Sequence, residues 1–93
     1  MTHTWHASIH LFSSADVGSD EHVTAAHAVV TTAAGNKIEG YGRAKLNPDD
    51  TDVPEIGEEL AAARALRDVA DRLLRATSDD LSAIEHQKIR LQR

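Results

Sequence analysis

The sequence predicts an α+β domain: a three-stranded antiparallel sheet followed by one long and one short C-terminal helix. Three observations predict it. Apolar and polar residues alternate strictly near the N-terminus, two further alternating stretches flank Gly35-Asn36, and an apolar period of about 3.6 residues begins near residue 54.

The first strand spans Thr4 to Phe12, with Trp5, Ala7, Ile9 and Leu11 on one side and His6, Ser8 and His10 on the other. Residues 13–20 collect Ser, Asp and Gly and turn the chain back. A second strand from about Glu21 to Ala33 and a third from Lys37 to Leu46 are joined by Gly35-Asn36, a pair suited to a two-residue primed turn. That turn sets a register in which Ala25, His27, Val29 and Thr31 oppose Leu46, Ala44, Gly42 and Gly40 on the core face, where the glycines admit a helix close to the backbone. On the other face Ala26, Ala28, Val30 and Thr32 oppose Lys45, Arg43, Tyr41 and Glu39.

Asp52-Val53-Pro54-Glu55 reads as a helix start, with an acidic cap, an early proline and a glutamate three residues on. The helix is expected to reach about Ala76, with Ile56, Leu60, Ala63, Leu66, Ala70, Leu73 and Leu74 as its core stripe. Glu55, Glu58 and Glu59 near its start and Arg72 and Arg75 near its end suit the macrodipole. Thr77-Ser78-Asp79-Asp80 is expected to end it and cap a short second helix through about His86, leaving residues 87–93 as a frayed basic tail.

With 93 residues, 15 acids against 10 bases and a net charge of −5, the chain reads as a single domain over 1–93 whose core is small. Dimerisation is expected on that ground, through the apolar half of the outer sheet face, Ala26, Ala28 and Val30. The absence of cysteine excludes disulfides and thiolate chemistry and fits a reducing compartment, so a cytoplasmic location is expected. No window approaches a membrane span, and the N-terminus has no signal-peptide pattern.

Most chemical constellations have structural explanations. The helix arginines sit four residues from aspartates (Arg64 and Asp68, Asp68 and Arg72, Arg67 and Asp71, Asp71 and Arg75), which favours a salt-bridged surface over a phosphate site. Six histidines invite a metal site, yet His6 and His10 lie roughly 13 Å apart on a strand and cannot share one ion. His27 is read as a core-face histidine. The acidic run Asp49, Asp50, Asp52, Glu55, Glu58 and Glu59 lacks the ligand order of a calcium loop. No nucleophile elbow, P-loop or dinucleotide fingerprint is present, so neither an enzyme nor a cofactor is expected. The strongest binding candidate is the row Lys37, Tyr41, Arg43 and Lys45, which combines cations with a ring that can stack on a base.

From Gly40 the chain reads GYGRAKLNPDDTDVPEIGEELAAARALRDVADRLLRATSDDLSAIEH. The linked segments GxGxAxLNP, VPEIGEELAxARAL and T-S-x-D closely resemble a family of small actinobacterial proteins of unknown function with a double-stranded-RNA-binding-domain-like fold. Its best-known members are mycobacterial proteins associated with hypoxia and dormancy. This sequence departs from the pattern at Gln87-Lys88, where a proline is expected after the histidine. The resemblance implies a β-β-β-α-α homodimer and a likeness to ribosome hibernation-promoting factors; it transfers no contact residues.

The expected function is therefore a non-enzymatic stress or dormancy protein that binds the ribosome, through rRNA or a ribosomal protein, without specific DNA recognition. Two features weigh against ordinary duplex-RNA binding: the helix opens with Glu55, Glu58 and Glu59 rather than cations, and the net charge is negative. The alternative is a protein-interaction adaptor using its acidic 49–59 surface, with no nucleic acid involved.

Overall fold

The structure is a computed structural model that describes residues 1–13, 23–45 and 54–91, with side chains of the helix from Glu55 through Glu85. Three strands, β1 (His6–Ser13), β2 (Val23–Thr31) and β3 (Lys37–Lys45), form an antiparallel sheet in the order β1-β2-β3, and one helix, α1 (Pro54–Leu91), lies over one face. The α+β expectation holds, but the short second helix is not a separate element: α1 runs unbroken for 38 residues. Thr77 does not cap a new helix. Its hydroxyl donates back to the Leu73 carbonyl at 2.9 Å, an i−4 bond that lets threonine sit inside a helix, and Ser78, Asp79 and Asp80 are exposed.

The hairpin turn decides which face of β2 is inside. The Gly35 amide donates to the Thr32 carbonyl at 3.0 Å and the Thr32 amide to the Asn36 carbonyl at 2.8 Å, while Gly35 takes a positive φ of 89°. This is a turn centred on Ala33-Ala34 with glycine in the left-handed position after it, the three-residue hairpin loop rather than the two-residue one. The Asn36 amide also donates to the Thr32 hydroxyl at 3.1 Å. Moving the loop from Gly35-Asn36 to Ala33-Ala34-Gly35 slides the pairing by three residues, so Val30 opposes Ile38 instead of Tyr41. An odd slip sends every β2 side chain to the opposite face from the one expected.

Thr24, Ala26, Ala28 and Val30 consequently share the helix-covered face with Ala44, Gly42, Gly40 and Ile38. This corrects the expected dimer surface: Ala26 and Ala28 are buried beneath α1, and Val30 packs against the same cluster. They are core residues because the slipped register turns them inward.

The helix also presents a different face from the one its large residues suggested. Gly57, Ala61, Ala65 and Val69 turn to the sheet, with Leu73 at the cluster's margin, whereas Ile56, Leu60, Leu66 and Leu74 are exposed, Leu74 to 66%. The cause is the distance of approach. A Cβ placed on Gly40 would lie 2.5 Å from the Ala65 carbonyl oxygen, and one on Gly42 would collide with the Ala61 carbonyl and the Ala65 amide. With the helix backbone this close to β3, only small side chains fit between. The buried cluster is accordingly five alanines and one valine.

Such a core gives little hydrophobic stabilisation per residue, since an alanine methyl contributes far less than the roughly 1.5–3 kcal/mol of a buried leucine. Replacing Gly42 with alanine should therefore cost about 1–3 kcal/mol in urea denaturation, through overpacking against helix backbone that cannot rotate away. Leu74→Ala, which removes a larger but exposed group, should stay within about 0.5 kcal/mol of wild type.

Candidate functional site

The face of the sheet away from α1 has no covering element among the described residues. The register places His6, Ser8, His10 and Phe12 of β1 beside Thr31, Val29, His27 and Ala25 of β2, and those beside Lys37, Glu39, Tyr41 and Arg43 of β3, with Lys45 opposite Val23. The predicted row Lys37, Tyr41, Arg43 and Lys45 thus lies along one edge of this open face, and all four are exposed. None of the three cations has a carboxylate partner among the described residues.

His27 joins them, contrary to its expected place in the core, because the slipped register turns it outward. Its ring stacks on Tyr41 with centroids 4.7 Å apart and planes 4° from parallel, and His10 follows at 6.2 Å, tilted by 38°. The unequal spacings follow from the ladder. His27 and Tyr41 form a non-hydrogen-bonded antiparallel pair, where side chains approach closely, and His10 and His27 form the wider hydrogen-bonded kind. Because the 4.7 Å separation matches the strand spacing, the rings stack across the sheet and present their edges to solvent. Tyr41, 59% exposed, ends the column, with no further ring against its outer face among the described residues. The Glu39 carboxylate lies 3.2 Å from His27 Nε2, so the one acid on β3 is engaged within the face. Loop length hid this histidine from a sequence reading; alternation alone would have found it had the turn been counted as three residues.

Helix side chains occupy two backbone groups on the outer edge of β3. The Tyr41 amide donates to Asp68 Oδ2 at 2.9 Å, and Arg64 Nη1 donates to the Arg43 carbonyl at 2.6 Å. Asp68 also accepts from Arg72 Nε at 3.3 Å, the one of the four anticipated i,i+4 pairs that forms among the described side chains. Arg64 is instead recruited to β3, which explains why a spacing rule alone misassigns it. These bonds hold the Tyr41 and Arg43 backbones while both side chains stay on the open face.

The predicted acidic surface is only partly described: Glu55, Glu58 and Glu59 are exposed on the first turns of α1, and Asp49, Asp50 and Asp52 lie outside the described residues, as does His22. No group of three or more His, Asp or Glu residues suited to a metal ion occurs among the described residues. No helix among them is long and apolar enough to cross a membrane.

The Tyr41 amide, and behind it the Arg72 and Arg75 guanidinium groups, hold the Asp68 carboxyl below its ordinary value of 3.8 against the opposing effect of desolvation. A lowered folded-state value means that the carboxylate stabilises the fold above the unfolded value and that this contribution is lost as pH falls through the folded one. Asp68→Asn should therefore lower the melting temperature at neutral pH, and the gap to wild type should narrow progressively below about pH 4 in a thermal series.

The chain matches the Rv2632c-like family model over residues 3–90. It is 43% identical over 77 residues to an uncharacterized protein of Mycobacterium tuberculosis (strain CDC 1551 / Oshkosh), a match covering 82% of each chain. It is 48% identical over 56 residues, 60% of each chain, to the uncharacterized protein Rv2632c of strain H37Rv. The crystal structure of Rv2632c superposes with a TM-score of 0.77 at 37% identity, over 92% of this chain and 94% of that one. A three-stranded sheet, a C-terminal helix and a sequence that follows one family model across nearly its whole length place the chain in the Rv2632c-like family.

Proposed function

We propose that the protein is a non-enzymatic binding protein that docks a polyanion on the open sheet face, with rRNA on the ribosome as the partner. The observation that carries this reading is the coincidence, on one surface with no cover among the described residues, of Lys37, Arg43 and Lys45, none paired to a described carboxylate, with the exposed ring of Tyr41. Phosphates are attracted by such cations through counterion release, and an unpaired base extends the ring column by stacking on Tyr41. Only one ring face is free, so the surface suits a single splayed base beside a phosphate backbone rather than a run of stacked bases.

Two further parts of the reading come from the resemblance, a likeness to the double-stranded-RNA-binding fold and service in dormancy or stress, and the cysteine-free composition adds a cytoplasmic location. Docking would act by occlusion, the bound protein covering a surface that the working ribosome needs.

The test is co-sedimentation with ribosomes at low and moderate salt. Wild type should pellet in a salt-sensitive manner, and Arg43→Glu/Lys45→Glu should lose at least tenfold in affinity while keeping its thermal transition. Binding unchanged in that variant would reject the face. Loss of binding in a variant with Glu55, Glu58 and Glu59 changed to Lys, with the β3 variant unaffected, would instead favour an adaptor that meets a basic partner through the acidic helix start.

A further inference from the structure

The two edges of the sheet are treated differently. At β3, helix side chains occupy outward backbone groups, through Asp68 on the Tyr41 amide and Arg64 on the Arg43 carbonyl. At β1, nothing comparable occurs between His6 and Phe12 among the described residues. The strand also carries none of the usual protections: residues 6–13 hold no Lys, Arg, Asp, Glu or Pro, and the register with β2 runs without a bulge. Its helix-side residues Ile9 and Leu11 are each 39% exposed, because α1 lies over β2 and β3 and barely reaches β1. Trp5, just before the strand, is half exposed as well.

The ladder identifies which groups are on offer. In an antiparallel sheet each residue directs its N–H and C=O to one side, and neighbours alternate. Tyr41 and Arg43 point outward at β3, so even-numbered β3 residues bond to β2, odd-numbered β2 residues bond to β1, and Ala7, Ile9 and Leu11 point outward at the free edge.

We propose that β1 pairs antiparallel with β1 of a second copy, Ile9 opposite Ile9 on the two-fold axis and Ala7 opposite Leu11, making one six-stranded sheet. The occupant is a second copy because the strand is complementary to itself. This register joins all three outward residues of each copy in hydrogen-bonded pairs, and it keeps Ala7, Ile9 and Leu11 together on the helix side and His6, Ser8, His10 and Phe12 together on the open side. A strand without Lys, Arg, Asp or Glu sets no pair of like permanent charges against each other when it meets itself. At the β3 edge α1 side chains already hold the Tyr41 amide and the Arg43 carbonyl in the middle of the strand, so β1 is the edge each copy has to give, and pairing through it alone closes at two rather than continuing as a fibre.

The test is sedimentation velocity of the full chain at micromolar concentration. Wild type should run at twice its 10.1 kDa mass. Ala7→Pro removes an outward amide that β2 does not use, and Ile9→Lys puts a charge on the edge; each should weaken the dimer at least tenfold with far-UV circular dichroism unchanged. Ser8→Cys/His10→Cys, in a chain with no other cysteine, should oxidise to a covalent dimer, since the proposed register sets Ser8 opposite His10. Leu74→Glu/Leu81→Glu, on the exposed part of α1, should leave the dimer intact. A monomeric wild type would overturn the proposal, as would edge variants that stay dimeric while the helix variant dissociates. Ribosome binding that survives in a monomeric edge variant would separate this inference from the function of the open face.

Discussion

The closeness of α1 to β3 governs the rest of the molecule. Gly40 and Gly42 remove the two side chains that would hold a helix at ordinary distance, and the Ala61 and Ala65 backbone moves into the space. Once it is there, only Gly57, Ala61, Ala65 and Val69 can face the sheet, and the larger Ile56, Leu60 and Leu66 must turn outward. The same approach brings Asp68 and Arg64 within bonding distance of the β3 backbone, so the tight contact and the two bonds at the β3 edge are one arrangement. Its cost is a core with no buried side chain larger than valine among the described residues.

How much of this is legible in the sequence differs from element to element. The alternation of β3 assigns Ile38, Gly40, Gly42 and Ala44 to the helix and Lys37, Tyr41, Arg43 and Lys45 to the open face, and the structure agrees, because a strand's own period does not depend on its neighbours. The faces of β2 do depend on a neighbour. Val23, Ala25, Ala26, Ala28, Val29 and Val30 are small or β-branched on both sides, so only the turn selects the inward set, and one residue more in a glycine-containing loop reverses it. His27 and the Ala26, Ala28 and Val30 group changed places for that single reason.

The buried face of the helix departs from its hydrophobic stripe for a complementary reason. Hydrophobic periodicity ranks a face by residue size, which is sound when side chains fill the gap between elements. Here glycine closes the gap, and the stripe that packs is the one with the least to bury. Likewise Thr77-Ser78-Asp79-Asp80 carries strong stop-and-start signals that fail because Thr77 satisfies its hydroxyl within the helix at the Leu73 carbonyl. These are local signals overridden by geometry that no single segment encodes.

The open face and the free edge meet in β1, whose even residues contribute His10 to the ring column and whose odd residues carry the outward amides. The proposed pairing through that strand would leave the face open, since a second copy would join beside it and not over it. In a six-stranded sheet the two β3 rows lie at opposite margins, five strand spacings or about 24 Å apart. A polyanion would then meet two sets of Lys37, Arg43 and Lys45 separated by the histidine-bearing centre. A short oligonucleotide lying along one β3 row spans only one such set, whereas a large structured surface engages both at once and gains the effective concentration that a second tethered contact brings. The geometry thereby favours an extended, folded partner over a free single strand, which is the property that would let a protein of net charge −5 hold a polyanion with so few cations.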